Sequence, residues 1–548
     1  MRESAASGSS APRGLGARDR LIAIARIDPD RWIWVAVALA AANVVVMLAR
    51  LPRILDGLYT SADAASAPVI GVTTSEVADH GLVTLGNYAW YEPLWFMQLT
   101  HDLPYHREIW ELAPLLATFI AYAVVVWLAL RTVGPRAAVL TAALLACVTL
   151  ELRVVLFTLN SHGLLALHAA VLLASLVVLV RSTRWQRPLR MVALGVPLTL
   201  FTAVGLAGDK LLAVAGLAPF VLTALWGWWR TGARSERTIA VFALASSLAA
   251  VVIALLAVDA GRADGVVDSP LGISFVSPGK IVSNVEILLD AFSFLGGGRF
   301  LGAPAEIGSL RAVVAGLLTL AALALVLHRL WRLVPALAAR RPGTGVSLAR
   351  ETYVVFWAIA VVAGIVAFVM SSVPVDAGTA RYLIVVWAGV VALLPVLVAT
   401  GGARQRLALV AAVSVFAAIS LYDVANPPGA SSVAADVERF VTAQGATTGY
   451  GVYDDAAPIT WASHNRVRVY PVCTCAPPSQ AKFPFASHTV QSWYRPQPGR
   501  RTFLLQNPAR SFPVLPDPAD GKPIARRTFG TVTVLVYDHD IAATIKPG

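Results

Sequence analysis

Apolar runs of membrane-spanning length recur along this chain. They lie at 32–49, 112–130, 137–151, 162–180, 191–208, 211–229, 239–257, 311–330, 352–370, 382–399 and 407–424. A helix needs about 20 apolar residues to cross the hydrocarbon core of a bilayer. The pattern therefore predicts an α-helical polytopic membrane protein with about eleven transmembrane helices. Charge content agrees: 14% of the residues are charged, where a soluble domain carries about 25%. The pair of runs across 137–180 is interrupted by Glu151 and Arg153. A charge at mid-bilayer costs at least about 2.5–3.5 kcal/mol, which places that interruption at the outer surface.

The formal net charge is +12, a value that in a soluble protein would suggest nucleic acid. Here the cations sit in short clusters between apolar runs, which is the positive-inside pattern and excludes a nucleic-acid patch. With the N-terminus inside, the inner loops hold Arg131/Arg136, Arg181/Arg184/Arg187/Arg190, Arg230/Arg234/Arg237, Arg329/Arg332/Arg340/Arg341/Arg350 and Arg404/Arg406. The outer loops hold most of the acids, from Asp56, Asp63 and Glu76 to Asp290 and Asp376. The expected location is the plasma (inner) membrane, multi-pass, with a cytoplasmic N-terminus and an extracytoplasmic C-terminus. Residues 1–31, rich in Gly, Ser, Ala and Arg, read as a disordered cytoplasmic arm. Trp32–Ala49 reads as an uncleaved signal-anchor helix.

The expected domains are a transmembrane domain over 32–425, with outer loops 51–111 and 258–310, and a small α/β domain over 426–548. In the first loop the aromatics around Trp90 and Trp95 suit an interfacial helix or an aromatic belt. In the second, Ile281–Phe294 is amphipathic and runs into Gly296-Gly297-Gly298-Arg299, which lacks the spacing of a phosphate loop. Beyond Asn426-Pro427-Pro428-Gly429 the composition turns polar. Strand-like runs appear at 466–470, 502–505 and 532–537, and Asp436–Ala443 reads as a helix. Cys147 lies in an apolar run, and Cys473 and Cys475 stand too close for an unstrained disulfide.

Unusual polar residues gather at the outer ends of the predicted helices. Asp63 stands among small residues, in Tyr59-Thr60-Ser61-Ala62-Asp63-Ala64-Ala65-Ser66-Ala67-Pro68, with no cation within six positions. The small neighbours leave room for a bulky ligand, and such an acid suits a general base; a helix cap explains it equally simply. Glu76 follows in the same loop. Asn160, Ser161 and His162 open the fourth run, Asp209 and Lys210 separate two runs, and Arg381 and Tyr382 open the tenth. Polar groups in such places pair with one another or line an aqueous cavity. Each also has a plain reading: a turn at Asp209-Lys210, snorkelling of Arg381 to headgroups, a helix-end hydrogen bond at His162. No local His/Asp/Glu spacing is that of a metal site.

This layout resembles the class C (GT-C) membrane glycosyltransferases, in particular actinobacterial-looking bacterial members. The matching features are the large first outer loop with Asp63 just after the first span, about eleven spans, and the outer C-terminal domain containing Tyr450-Gly451-Val452-Tyr453-Asp454-Asp455-Ala456, Thr460 and Arg466-Val467-Arg468-Val469. Asp63 is flanked by alanines, where many members carry paired acids. The resemblance implies a polyprenyl-phosphate-linked sugar donor in the membrane and a cell-envelope glycan, lipid or protein acceptor. It implies Asp63 as the general base, and Lys210, Arg381 or Arg299 as cations that meet the departing phosphate. Glu76 then orients the acceptor or helps hold a divalent ion, and His162, Asp209 and Tyr382 line the substrate site. No cofactor is fixed, and a divalent metal is left open. Two rival readings stand beside it: a non-catalytic scaffold that binds lipid-linked glycans, and a transporter. The latter lacks the repeated hydropathy and broken span pairs that transporters often have.

Overall fold

The computed structural model describes residues 29–77, 79–85, 96, 99–100, 102–103, 106–158, 162–268, 274–298, 307–339, 345–399, 402–427, 432–474, 481–510 and 513–546. The chain begins with α1 (Pro29–Ala49), α2 (Leu51–Leu58), α3 (Ala62–Glu76) and β1 (Val83–Leu85). The bundle continues through α4 (His106–Thr132), α5 (Pro135–Leu145), α6 (Leu150–Leu156), α7 (Leu164–Arg181), α8 (Pro188–Gly208), α9 (Ala218–Thr231) and α10 (Arg234–Ala263). After β2 (Val266–Asp268) come α11 (Pro278–Leu295), α12 (Ile307–Ala338), α13 (Gly345–Met370), α14 (Ile384–Ala399) and α15 (Ala403–Ala425).

Among the described residues, eight helices are long and apolar enough to cross a membrane, and ten if each of two bent pairs is one span. The predicted run at 211–229 is a π-helical turn, Ala213–Leu217, leading into the 14 residues of α9. The chain is a multi-pass membrane protein.

The run expected at 137–151 is not one straight span. It stops at Leu145 and resumes as α6 at an angle of 98°. Thr149 makes the restart: its hydroxyl oxygen accepts from Leu152 N at 3.2 Å, capping α6, and donates to Leu295 O at 2.8 Å. Arg153 does not sit at an open surface as expected, for it is 1% exposed. Its guanidinium donates to the carbonyls of Thr149 and Asp423, at 3.3 and 3.0 Å. Backbone acceptors inside the protein stand in for water around this charge.

Two arginines, Arg230 and Arg181, meet helix C-termini. Arg230 donates to the carbonyls of Ala336, Leu337 and Ala339 at the end of α12, and pairs with Glu351 at 2.7 Å. Arg181 donates to Arg131 O. A cation at a helix C-terminus meets unsatisfied carbonyls and the negative end of the dipole.

The C-terminal part holds α16 (Ser432–Ala443), β3 (Thr448–Gly451), α17 (Tyr453–Ala462), β4 (Arg468–Thr474), β5 (Lys482–Pro484), β6 (Thr489–Val490), β7 (Thr502–Gln506), β8 (Ala525–Phe529) and β9 (Val532–Tyr537). Six strands form a mixed sheet in the order β5-β4-β3-β7-β9-β8, with β3 parallel to both neighbours. Its own core includes Val437, Val441, Val469, Phe503 and Val536. A second, three-stranded sheet joins regions far apart in sequence. There β1 pairs with β2 (Val83↔Val266) and with β6 (Val83↔Val490), so the C-terminal part is stitched to both loop regions.

Candidate active site

Asp63 lies in the first turn of α3, where the helix dipole favours a carboxylate. It does not cap its own helix. Instead Arg381 Nη1 donates to Asp63 Oδ2 at 2.5 Å, and Tyr453 Oη donates to Oδ1 at 2.9 Å. The small residues around Asp63 explain the second contact, and they correct the expectation of open space. Ala64, Ala65 and Ala67 are buried to within 1%. Small side chains let α17 pack closely against α3, and Tyr453, the first residue of α17, thereby reaches the carboxylate. The room is taken by the C-terminal domain rather than left for a ligand.

Arg381 sits on a short 3-10 segment, Ala377–Leu383, just before α14. Asp376 fixes its start by accepting from Gly378 N at 2.8 Å. Tyr453 is held from behind by Phe485, stacked at 4.5 Å and 9°. His488 Nδ1 lies 3.3 Å from the Tyr453 hydroxyl and 3.2 Å from Ser487 Oγ. Burial pushes the His488 imidazole down to about 4, against the pull of Asp63, so His488 is neutral at pH 7. For Asp63, burial acts to raise the carboxyl. The neighbouring Arg381 charge and the Tyr453 hydrogen bond outweigh it and hold the group below its ordinary value. Since His488 is neutral, Arg381 is the charge responsible.

A second polar group adjoins the first. His162 takes a left-handed backbone, φ 65°, and its Nδ1 lies 2.5 Å from Asp209 Oδ2. Asp209 ends α8 and accepts from Leu211 N at 2.9 Å with its other oxygen. The Tyr382 ring lies 4.7 Å from the His162 ring, and the Arg381 guanidinium 5.5 Å from the Tyr382 ring. Five of the sequence-derived residues, Asp63, Arg381, Tyr382, His162 and Asp209, thus form one chain of contacts built from four separate parts of the sequence.

Lys210 is exposed. Glu76 stands apart from this group. It lies thirteen residues further along α3, about 20 Å along the helix axis, and pairs with Arg468 at 2.8 Å. Arg299, Asn160, Ser161, Trp90, Trp95 and Cys475 lie outside the described residues. Among the described residues no group of three or more His, Cys, Asp or Glu is arranged to hold a metal ion. Tyr453 and His488 had no assigned role in the sequence reading. Tyr453 carried a trace, an aromatic between a strand and two acids. His488 carried none.

No family model and no curated protein matches the chain. Its fold is that of the GT-C class of membrane glycosyltransferases. The similarity that carries this statement is to ArnT from Cupriavidus metallidurans bound to undecaprenyl phosphate, with a TM-score of 0.51 and 12% identity over 93% of this chain and 99% of that one. The apo structure of the same ArnT gives 0.49 with 14% identity, covering 92% and 99%. The oligosaccharyltransferase AglB from Archaeoglobus fulgidus, in complex with an inhibitory peptide and a dolichol-phosphate, gives 0.42 with 15% identity over 80% of this chain. This chain spans 64% of the length of AglB. At these identities the likeness is one of fold.

Proposed function

We propose that this protein is a glycosyltransferase that moves a sugar from a polyprenyl-phosphate carrier to an envelope glycan, lipid or protein acceptor at the extracytoplasmic face, with Asp63 as general base. In this reading the N-terminus is cytoplasmic and the C-terminal domain extracytoplasmic. The observation that supports it best is the Asp63 carboxylate, shared between an arginine at the head of a membrane helix and a tyrosine of the C-terminal domain. ArnT, which shares the fold, has been captured with undecaprenyl phosphate. A lipid of that kind brings its phosphate to the membrane surface, the position this reading gives Arg381.

The chemistry follows from competition for Arg381. A phosphate of the donor takes the guanidinium, for which it is a strong partner. Asp63 then loses the cation that holds its proton affinity down and keeps the burial that raises it. It becomes a better base when the donor is in place. The acceptor oxygen bonds to the anomeric carbon, the bond from that carbon to the phosphate oxygen breaks, and Asp63 takes the hydroxyl proton. The leaving phosphate keeps the electron pair and meets Arg381. His162 and Asp209 hold Tyr382 beside the arginine and so fix its position. Replacing Asp63 by Asn is expected to abolish nearly all transfer while leaving the protein in the membrane. Full activity in Asp63→Asn would end this assignment.

A further inference from the structure

We propose that a cavity near Asp63 receives the acceptor as a neutral, hydroxyl-rich ligand, and that Asp454 takes a hydrogen bond from the reacting hydroxyl. This rests on the glycosyl-transfer reading and supplies its acceptor class. The cavity has a volume of about 460 Å³, inside the range of about 300–1,000 Å³ of small-ligand sites. Tyr59 and Thr60, four and three residues before Asp63, line one side, and Asp454 and Trp461 of α17 line the other. Asp454 is the neighbour of Tyr453, whose hydroxyl holds Asp63. Asp63 does not itself line the cavity; it lies three residues beyond Thr60, and its charge is felt by Asp454.

Its lining disfavours an anion. Arg107 is already engaged by Glu111 at 2.7 Å and lies over the Trp461 ring at 5.2 Å. Arg510 is engaged by Asp455 at 2.7 Å. An anion would meet the acids Asp56, Asp454 and Asp455 of the lining, against two guanidinium groups that each already pair with a carboxylate. No described side chain hydrogen-bonds Asp454, so its oxygens are open to a hydroxyl donor. Thr60 donates its own proton to Gly57 O at 2.8 Å and keeps lone pairs to accept with. His464 faces the same space, and its burial, aided by Arg107 and Arg466, pushes its imidazole down and keeps it neutral. Acceptors and donors of this mixed kind match sugar hydroxyls, each of which gives and takes a hydrogen bond. Burial, then the neighbouring Asp455 and Asp63, raise the Asp454 carboxyl above its ordinary value against Arg510. Asp454 is accordingly the stronger hydrogen-bond acceptor of the two acids while Arg381 remains on Asp63. It orients the hydroxyl, and the proton, bond formation and leaving group follow the step above.

The test uses the full chain in detergent and saturation-transfer NMR with a panel of methyl hexopyranosides and pentofuranosides, inorganic phosphate and ethanolamine. At least one methyl glycoside is expected to bind. Its signal falls at least fivefold in Asp454→Ala and in Thr60→Trp, which fills the cavity from an exposed position. In transfer assays Asp454→Asn raises the acceptor KM at least tenfold and leaves donor binding unchanged. Binding of phosphate or ethanolamine alone, no glycoside binding, or an unchanged acceptor KM overturns the proposal. Loss of the transfer reading has a different sign: glycoside binding persists, but no donor is consumed in an Asp63-dependent way.

Discussion

Asp63–Arg381 and Asp520–Lys482 are ion pairs with the same closest contact, 2.5 Å, and opposite surroundings. The first is about one quarter exposed on each side, while the second is fully buried on both. Lys482 Nζ reaches both oxygens of Asp520, at 2.5 and 2.6 Å, and Thr544 Oγ1 and Asp517 N add donors at 2.5 and 2.9 Å. That carboxylate is filled, and it ties β5 to two turns within the C-terminal part. Asp63 has one donor on each oxygen from elements 318 and 390 residues away. A fully buried pair is locked because no water or ligand reaches either charge, and removing one leaves the other uncompensated. A partly exposed pair can exchange its cation for a ligand. Distance alone does not separate the two pairs; burial and the number of donors do.

Substitutions can break this comparison at either end. The largest effect is expected at Asp63→Asn, with a loss of about 10²–10⁴-fold in transfer, the range of general-base catalysis, in a protein that still folds into the membrane. Lys482→Met should do the reverse. It leaves the buried Asp520 charge without its cation, at a cost of about 3–5 kcal/mol, read as earlier unfolding of the C-terminal domain in proteolysis and thermal scans. If Lys482→Met left stability intact, the contrast between the two pairs would fail. Tyr453→Phe removes a hydrogen bond to a charged group, about 1.5–3 kcal/mol. That bond lowers the Asp63 proton affinity, so its loss moves the acidic limb of the pH–rate profile to higher pH. A limb that stays in place would remove Tyr453 from the site. The smallest effect belongs to Glu76→Gln. Its pair with Arg468 is about one third exposed on each side, and such pairs contribute up to about 1 kcal/mol. A larger loss of transfer would return Glu76 to the acceptor site.

The spans were legible because length and hydropathy act locally. So were the strands around 468, 502 and 532, which alternate or run apolar. The break at Leu145–Leu150 was visible only as two charges, since what makes it is Thr149 capping α6 and bonding to α11, a contact between distant segments. Asp63, Arg381, Tyr382, His162 and Asp209 were found one by one, because charged and aromatic residues at helix ends stand out against apolar runs. Their assembly was not visible. Asp63 meets Arg381 only through folding of the whole bundle, and Tyr453 only because alanines let two helices approach. His488 could not be found at all: one histidine in a polar loop carries no periodicity, and its role comes from its place behind Tyr453.

The account rests on Asp63-dependent use of a lipid-linked sugar. Membranes holding the protein or Asp63→Asn at matched levels would be given a panel of labelled polyprenyl-phosphate sugars with endogenous acceptor present. Loss of label from one lipid, in the parent and not in the variant, is the expected result and names the sugar. Equal loss in both, or none from any donor while the protein still binds the lipid, would contradict it and leave a glycan-binding scaffold.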